Sequence, residues 1–396
     1  MVYNVIRQIM DMDLKSIVNG AAMVVLPAAG VAGVVFDYAP LRSAGPWFLA
    51  LGVLLISYAL LKRTYCPSDR SWRTDTNQPQ PIGIRWGDYL KAFICWLDSF
   101  KRTYGIEPGL YYTGDSYDRT KPLLVTANYH LTVFLLVRRL RNLNVRLLVI
   151  DSDCINVWCA AGKGRLSNDA ICAQLNRYDK DTLTDTGRIS FILPKLCLSG
   201  VDLPSLRQMG YDAVIGPVYY QRIPEYLASK PYKDCDDYHV HFGLRARLFT
   251  VPPGTMQTLK YPVMVILALW LVHLVWSFKV PSAEIIAIMI VPSITYPLLF
   301  PYLPGRWFGS KGFWLGVMFA IVMVILAAAG IVSTAGLVPA VFLVVACSMN
   351  FGHGYSGNSA VSNLTSLRKE IARLLPVYVV LYIASIIAFA FTGVIL

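Results

Sequence analysis

The chain has 396 residues, of which 55% are hydrophobic and only 15% are charged, and its mean hydropathy is +0.49. Soluble domains carry about 25% charged residues, so this composition excludes a wholly soluble protein. The 36 lysines and arginines outnumber the 24 acidic residues. In a membrane protein such an excess marks cytoplasmic loops, so no nucleic-acid partner is expected. The eight cysteines are too few for a disulfide scaffold in a chain of this length, and they indicate reduced thiols.

Apolar segments that could cross a membrane lie near both ends of the chain. A transmembrane helix needs about 20 apolar residues, and the candidates are 18–36, 47–61, 261–278, 283–302, 313–332, 335–347 and 374–396. Lysine and arginine are concentrated on one side of these spans, which predicts a multi-pass protein of the cytoplasmic (inner) membrane with a cytoplasmic central domain. The predicted organisation is an N-terminal transmembrane helix pair (1–62), a linker and helical region (63–103), the central domain (104–255) and a five-span transmembrane domain (256–396).

The central domain alternates short apolar strands with helices. Strands are predicted at 123–127, 145–150, 189–193 and 213–215, and helices at 130–143, 168–178, 203–209 and 224–229. This alternation predicts an α/β, Rossmann-like fold with a parallel sheet covered on both faces. Ligands of such sheets bind where the strands end at their carboxyl edge. The loops of interest are therefore 128–129, 151–164, 194–200 and 216–217.

The loop after the second of these strands contains a candidate reactive cysteine. Asn156 is a good N-cap for a short helix over 157–161, which Gly162 would end. Cys159 would then lie in the first turn, where unpaired N–H groups and the positive helix end favour the thiolate. The small residues 160–162 would give a nearly flat face, which suits a large planar group beside one soft ligand. On spacing alone, an inert buried cysteine is an equal alternative.

Two other kinds of ligand fit this loop poorly. Cys154 and Cys159 are five residues apart, which is the wrong spacing for the usual zinc sites. The sequence around the predicted sheet also lacks the Gly-x-Gly-x-x-Gly fingerprint and the Walker loop, so a nucleotide is disfavoured.

Residues 156–163 read Asn-Val-Trp-Cys-Ala-Ala-Gly-Lys, and this string resembles the cap-helix motif of the HgcA family, the corrinoid proteins of anaerobic mercury methylation. Further segments resemble that family in the same order, at 107–111, 125–129, 192–194, 216–218, 303–306, 349–351 and 365–370. The resemblance covers roughly residues 104–396 and omits the N-terminal spans. It implies a corrinoid-binding domain related to that of the corrinoid iron–sulfur protein, followed by a five-helix transmembrane domain.

The resemblance also implies the site. Cys159 would be the catalytic residue and would ligate the cobalt of a base-off, cobalamin-type corrinoid on its lower face. The implied cofactor contacts are Asn156, Val157, Trp158, Ala160, Ala161, Gly162 and Lys163 of the cap helix, and Thr126, Asn128, Ser199, Gly200 and Gly216 of the surrounding loops.

The implied activity is that of a corrinoid-dependent methyltransferase, an enzyme that transfers a carbanion-like methyl group to Hg(II) and forms methylmercury. The chemistry suits the residue type, because a thiolate opposite the methyl group is a soft, electron-donating ligand. The implied partners are a ferredoxin-like protein with two 4Fe–4S clusters as electron donor, a folate-type methyl donor or its methyltransferase, the Hg(II) substrate and membrane lipid.

Several positions depart from the family pattern and keep alternatives open. Cys154 stands where the family has a glycine, Arg165 begins a changed segment after the Lys-Gly pair, and 195–200 replaces a glycine-rich loop. Cys197 is either a contact to the methyl acceptor or a packed apolar residue, and the packed interpretation is favoured. The alternative functions are a corrinoid methyl carrier with a different acceptor, and a membrane transporter or sensor with a regulatory soluble domain.

Overall fold

The structure is a computed structural model of the chain that describes residues 77–98, 104–229, 231–234, 241–273, 282–334, 336–356 and 364–392, with isolated positions between 28 and 60. The predicted N-terminal spans at 18–36 and 47–61 lie outside this set, apart from those isolated positions. The described chain divides into two compact units: a sheet unit that ends at His241, and a helical unit that begins at Phe242.

The sheet unit contains a six-stranded sheet in the part of the chain that the structure describes. Its strands are β1 (Gln80–Pro81), β2 (Gly109–Tyr112), β3 (Leu123–Ala127), β4 (Arg146–Ile150), β5 (Ser190–Leu193) and β6 (Asp212–Ile215). Its helices are α1 (Trp86–Leu97), α2 (His130–Leu140), α3 (Val157–Gly162), α4 (Asn168–Leu175), α5 (Lys180–Leu183), α6 (Leu203–Gln208) and α7 (Ile223–Ala228). The strand order is β1-β2-β4-β3-β5-β6.

The sheet is mixed, with a parallel centre. β4, β3, β5 and β6 pair in parallel, as predicted, but β2 pairs with β4 in the antiparallel direction. The prediction of a wholly parallel sheet is therefore corrected at this edge, where β1 and β2 were not predicted at all. Every residue of β3 and β4 is buried, which explains why both strands are apolar apart from Thr126 and Arg146. Three of the four residues of β2 are only half-buried, and its short run gave no comparable signal.

Two apolar clusters cover the faces of the sheet. One contains Leu123, Val125 and Ala127 of β3 together with residues of α3, α4 and α6. The other contains Leu124 of β3, residues of α2, and partly buried residues of α7. The helices that follow β3 and β5 thus lie on opposite faces, although these two strands are neighbours. Such a reversal is a topological switch point, where α/β sheets open a crevice for ligands.

The helical unit contains α8 (Leu244–Thr258), α9 (Lys260–His273), α10 (Ser282–Leu299), α11 (Phe308–Ala328), α12 (Leu337–Tyr355) and α13 (Leu364–Thr392). Three helices among the described residues are long and apolar enough to cross a membrane: Phe308–Ala328, Leu337–Tyr355, and the Ala372–Phe389 part of α13. Ala283–Leu299 is a shorter apolar helix. The chain is therefore membrane-associated in character, while the number of five C-terminal spans stays a prediction.

Glycines allow α11 and α12 to pack with their backbones in contact. A Cβ atom added to Gly316 would lie 2.6 Å from the Cα atom of Val345, and one added to Gly312 would lie even closer to the carbonyl oxygen of Ser348. Small residues at such interfaces are the usual means by which membrane helices associate, because they let the backbones approach. The glycines are therefore required by the packing of this helix pair.

One buried contact between a carboxylate and an imidazole joins three helix ends in the helical unit. The carboxylate of Glu370 on α13 accepts a hydrogen bond from the backbone N–H of Gly309, in the first turn of α11. The same carboxylate lies 3.3 Å from Nε2 of His353, near the end of α12. The start of α11, the end of α12 and the beginning of the apolar part of α13 therefore lie together.

Candidate functional site

The loops that follow β3, β4, β5 and β6 leave the same edge of the sheet, because these strands are parallel. Asn128, directly after β3, ties two of these loops together. Its buried Oδ1 atom accepts hydrogen bonds from the backbone N–H of Ser152 (3.1 Å), the hydroxyl of Ser152 (2.8 Å) and the backbone N–H of Cys154 (3.0 Å). Asn128 thus positions the chain segment that leads into α3.

The turn before α3 has an unusual backbone. Asp153 and Cys154 have φ angles of 61° and 55°, in the left-handed region that glycine adopts most easily. Cys154 occupies the position where the resemblance places a glycine, and its side chain is buried. The turn therefore keeps a glycine-like conformation with a cysteine in it, and the hydrogen bond from its N–H to Asn128 helps to hold that conformation.

The short helix α3 begins as predicted. Oδ1 of Asn156 accepts a hydrogen bond from the backbone N–H of Cys159 at 2.9 Å, which confirms Asn156 as the N-cap and places Cys159 in the first turn. Cys159 is half-buried, whereas Cys154 and Cys197 in the neighbouring loops are buried. Of these three thiols, that of Cys159 is therefore the one that a ligand could reach.

Ala160 and Ala161 of α3 face the core, which corrects the prediction of an open flat face for these two residues, while Gly162 is exposed. Ala160 and Ala161 are 0% and 2% exposed and belong to the apolar cluster on this side of the sheet. The backbone of α3 packs so closely against Gly200 that a side chain there would not fit: an added Cβ atom would lie 2.6 Å from the carbonyl oxygen of Ala161. A helix of six residues is not stable alone, so it must bury its apolar side to be held in place. Trp158, which is half-buried, and the exposed Gly162 lie on its other side with Cys159.

The thiol of Cys159 does not have the depressed pKa that its position in the helix predicts. Burial raises its pKa, and the positive charge of Lys163 and the hydrogen bond from Asn156 lower it by less. Desolvation is the largest of these contributions, because the thiol is half-buried. Such a thiol gives up its proton when a metal ion replaces it, since metal binding displaces protons from its ligands.

The remaining predicted residues divide between the site and its surroundings. Ser199 is exposed and follows the Lys195–Cys197 turn after β5, on which α3 packs. Gly216 follows β6, and an added Cβ atom there would lie 2.8 Å from Cγ2 of Ile192. Thr126 is buried with no hydrogen-bond partner for its hydroxyl, on the strand face that it shares with Leu124 and not with α3. The structure therefore does not bring the side chain of Thr126 to Cys159.

Cys197 is a packed apolar residue, as the favoured interpretation predicted. It is 0% exposed within the cluster that covers this face of the sheet. Burial raises the pKa of its thiol to about 12, which makes it a poor nucleophile and ligand.

Tyr129 is a site residue that sequence reasoning missed, although the loop 128–129 was named. It forms the N-cap position of α2, directly beyond β3 at the switch point. Burial raises the pKa of its hydroxyl, with smaller contributions from Cys95, Asp98 and Cys159. The available signal was an aromatic residue placed just after the apolar run 123–127, in a loop at the carboxyl end of a predicted strand.

No protein-family model and no curated protein matches this chain. The chemistry of the site is therefore judged from its side chains. The thiol of Cys159 is a soft ligand that can be reached from outside, and it lies on a helix that is anchored at the carboxyl ends of the parallel strands.

Proposed function

We propose that this protein is a membrane-anchored, corrinoid-dependent methyltransferase of the HgcA type, in which Cys159 would hold the cobalt of the corrinoid and Hg(II) would receive the methyl group. The observation that carries the proposal is the placement of Cys159. Its thiol is half-buried in the first turn of an anchored helix. This helix lies at the carboxyl ends of the parallel strands, where the topological switch point between β3 and β5 is found. The eight-residue string around it, which resembles the cap-helix motif, supports the same chemistry.

The residues around Cys159 fit a flat ring whose metal takes one soft protein ligand. Gly162 and Trp158 lie on the same side of α3 as the thiol, so a ring approaching Cys159 meets a backbone without a side chain and one aromatic surface. When bound, a corrinoid supplies a cobalt ion that carries a methyl group and can change its oxidation state. Thiolate sulfur is the soft, electron-donating ligand that would favour release of that group towards an electrophile such as Hg(II).

The protein's own residues hold the thiol in place and set its proton affinity. The amide of Asn156 fixes the first turn, and the close approach of Gly200 to Ala161 sets how deeply the helix lies. Burial raises the pKa of the thiol, and the charge of Lys163 lowers it by less. The ferredoxin-like electron donor and the folate-type methyl donor belong to the same proposal, because the chain needs both an electron source and a methyl source to turn over.

The orientation in the membrane is also a proposal. Glu370 and His353 bring three helix ends together, and Arg306, Lys311 and Arg373 lie at or next to those ends. The turn between α11 and α12 has no charged residue at 329–336. Because positive residues stay on the cytoplasmic side, we place the basic end of the helical unit in the cytoplasm of a cell whose inner membrane holds the protein.

The test compares two cysteine variants of the full-length protein in detergent, each loaded with cobalamin. Cys159→Ala is expected to lose the visible spectrum of a sulfur-ligated cobalt and to form no methylmercury from Hg(II) in the presence of the ferredoxin partner. Cys154→Ala is the control: it also removes a thiol from the loop, but a buried one, and is expected to keep both properties. An unchanged spectrum in Cys159→Ala would show that the sulfur is not the ligand.

The same preparation separates the alternatives. A methylated corrinoid that yields no methylmercury would support a carrier with another methyl acceptor. A protein that takes up no corrinoid would instead support the transporter or sensor, because both enzymatic alternatives require the cofactor.

A further inference from the structure

A basic cleft opens at the amino-terminal ends of the central parallel strands, whereas Cys159 lies in a loop at their carboxyl ends. It lies where β3, β4 and β5 begin, at Leu123, Arg146 and Ser190, and it encloses about 570 Å³, part of which is open to solvent. The α3 helix follows the other end of β4. Since β4 has five residues, roughly 15 Å of strand separates the two edges. The cleft is therefore distinct from the site of the proposed methyl transfer.

Positive charge predominates in this cleft. Among the described residues that line it, four are basic and one is acidic: Arg119, Lys121, Arg146, Arg188 and Asp185. Like charges that line one concave surface produce a positive potential, and the apolar walls focus it. Hydroxyl groups of Thr120, Thr184, Thr186 and Ser190 also line the cleft. This combination of cations and hydroxyl groups is complementary to an anion with several oxygen atoms.

Arg146 carries the inference, because its charge is buried without a counter-charge. The residue is 4% exposed. Its Nε donates to the carbonyl oxygen of Lys121 (2.8 Å), and its Nη1 donates to the carbonyl oxygen of Leu183 (2.6 Å) and lies 3.5 Å from the hydroxyl of Tyr117. All three acceptors are neutral, and Arg146 forms no ion pair within the described part of the chain. A buried charge is costly unless it is paired, so the guanidinium favours an anionic ligand.

Two further arginines are held by neutral groups in the same way. Nη1 of Arg119 donates to the backbone carbonyl of Asp181 at 2.9 Å, and Nε of Arg188 donates to that of Gly210 at 3.3 Å. These bonds orient the guanidinium groups without neutralising them. Lys121 does have an ion-pair partner, Asp118 at 3.6 Å, but that pair is solvent-exposed and weak.

We infer that the cleft is a binding site for a small phosphorylated ligand, whose phosphate group is held by Arg146, Arg119 and Arg188. A phosphate dianion offers three or four acceptor oxygens, which matches several planar guanidinium donors better than a single carboxylate does. The site does not depend on the proposed methyl transfer, because none of its residues belongs to the loops around Cys159.

The test uses full-length protein in detergent and measures binding of inorganic phosphate and of pyrophosphate by calorimetry, with sodium chloride adjusted to constant ionic strength. One saturable site is expected for the protein. Arg188→Gln is expected to weaken binding about tenfold or more, since a hydrogen bond between charged groups is lost. Arg146→Lys keeps the buried charge but loses the planar fork of donors, and is expected to weaken binding as well.

Arg141→Gln is the matched control, because this exposed arginine does not line the cleft. It is expected to bind phosphate as the unmodified protein does. An equal loss in Arg141→Gln would show unspecific attraction to a basic surface, and undiminished binding in Arg188→Gln would show that the anion lies elsewhere; either result overturns the inference. Cys159→Ala is expected to bind phosphate normally, so failure of the proposed methyl transfer would leave this result unaffected.

Discussion

Substituting Gly200 by alanine should displace the helix that carries Cys159. An added Cβ atom would lie 2.6 Å from the carbonyl oxygens of both Ala161 and Leu166, and 2.8 Å from the Cα atom of Ala161. All three neighbours are backbone atoms, so no flexible side chain can move away. Ordinary contacts of this kind need about 3.5 Å or more. The backbone on one side or the other must therefore shift by several tenths of an ångström.

The expected cost follows from the packing around this contact. Forcing an extra carbon into a well-packed interior costs typically about 1–3 kcal/mol. For a unit of about 150–250 residues, each kcal/mol lowers the thermal midpoint by roughly 2–4 °C. Gly83→Ala is the matched control, because nothing lies within 4 Å of a Cβ atom added at that position. It is expected to change the stability by no more than about 0.5 kcal/mol.

The assay is thermal unfolding of the full-length protein in detergent, combined with alkylation of Cys159 followed by peptide mass spectrometry. Gly200→Ala is expected to lower the midpoint and to change the labelling rate of Cys159, because the contact fixes the depth of α3. Gly83→Ala should change neither. If Gly200→Ala melts and labels as the unmodified protein does, the close approach to Ala161 is not what positions the thiol.

Two further predictions concern other parts of the molecule. Gly316→Ala should separate α11 from α12 and lower the thermal midpoint in detergent by the equivalent of about 1–3 kcal/mol, whereas Gly354→Ala, with nothing within 4 Å of the added carbon, should not. Burial lowers the pKa of His130 from 6.5 to about 4, with a smaller contribution from Lys91. The unfolded chain therefore binds this proton more readily, and stability should be complete above pH 6.5 and fall by up to about 3 kcal/mol towards pH 4. His130→Leu should flatten that dependence in melts at pH 7, 6 and 5, and an unchanged slope would contradict the assignment.

The centre of the sheet could be predicted from the sequence because its signal is local. β3 lies where its apolar run predicts it, and β4 begins one residue later than expected. Both strands could be predicted because every residue in them is buried. The strands β1 and β2 could not be predicted in this way. β1 has only two residues and pairs with β2, and β2 is mostly half-buried and pairs antiparallel with β4. The formation of each strand therefore depends on its partner strand and not on its own pattern.

The site was predictable where it depends on neighbours in sequence. The N-cap role of Asn156 involves a residue only three positions ahead, and the structure contains that hydrogen bond. The burial of Ala160 and Ala161 depends instead on Gly200, about forty residues further along the chain, and small side chains give no sign of which way a helix faces. The same reason explains the pKa of Cys159: its place in the first turn is visible in the sequence, but the burial that raises the pKa is not.

The two edges of the sheet thus favour opposite kinds of ligand. At the carboxyl edge, burial and the cap on α3 present one polarisable sulfur, which suits a soft metal centre. At the amino edge, Arg146 is held by backbone carbonyls and its charge stays uncompensated, which suits a hard, multiply charged oxyanion. The strand β4 joins them, since Arg146 is its first residue and the loop to Cys159 follows its last. Because the strand is buried along its whole length and paired on both sides, the two proposed sites belong to one scaffold and share no side chain.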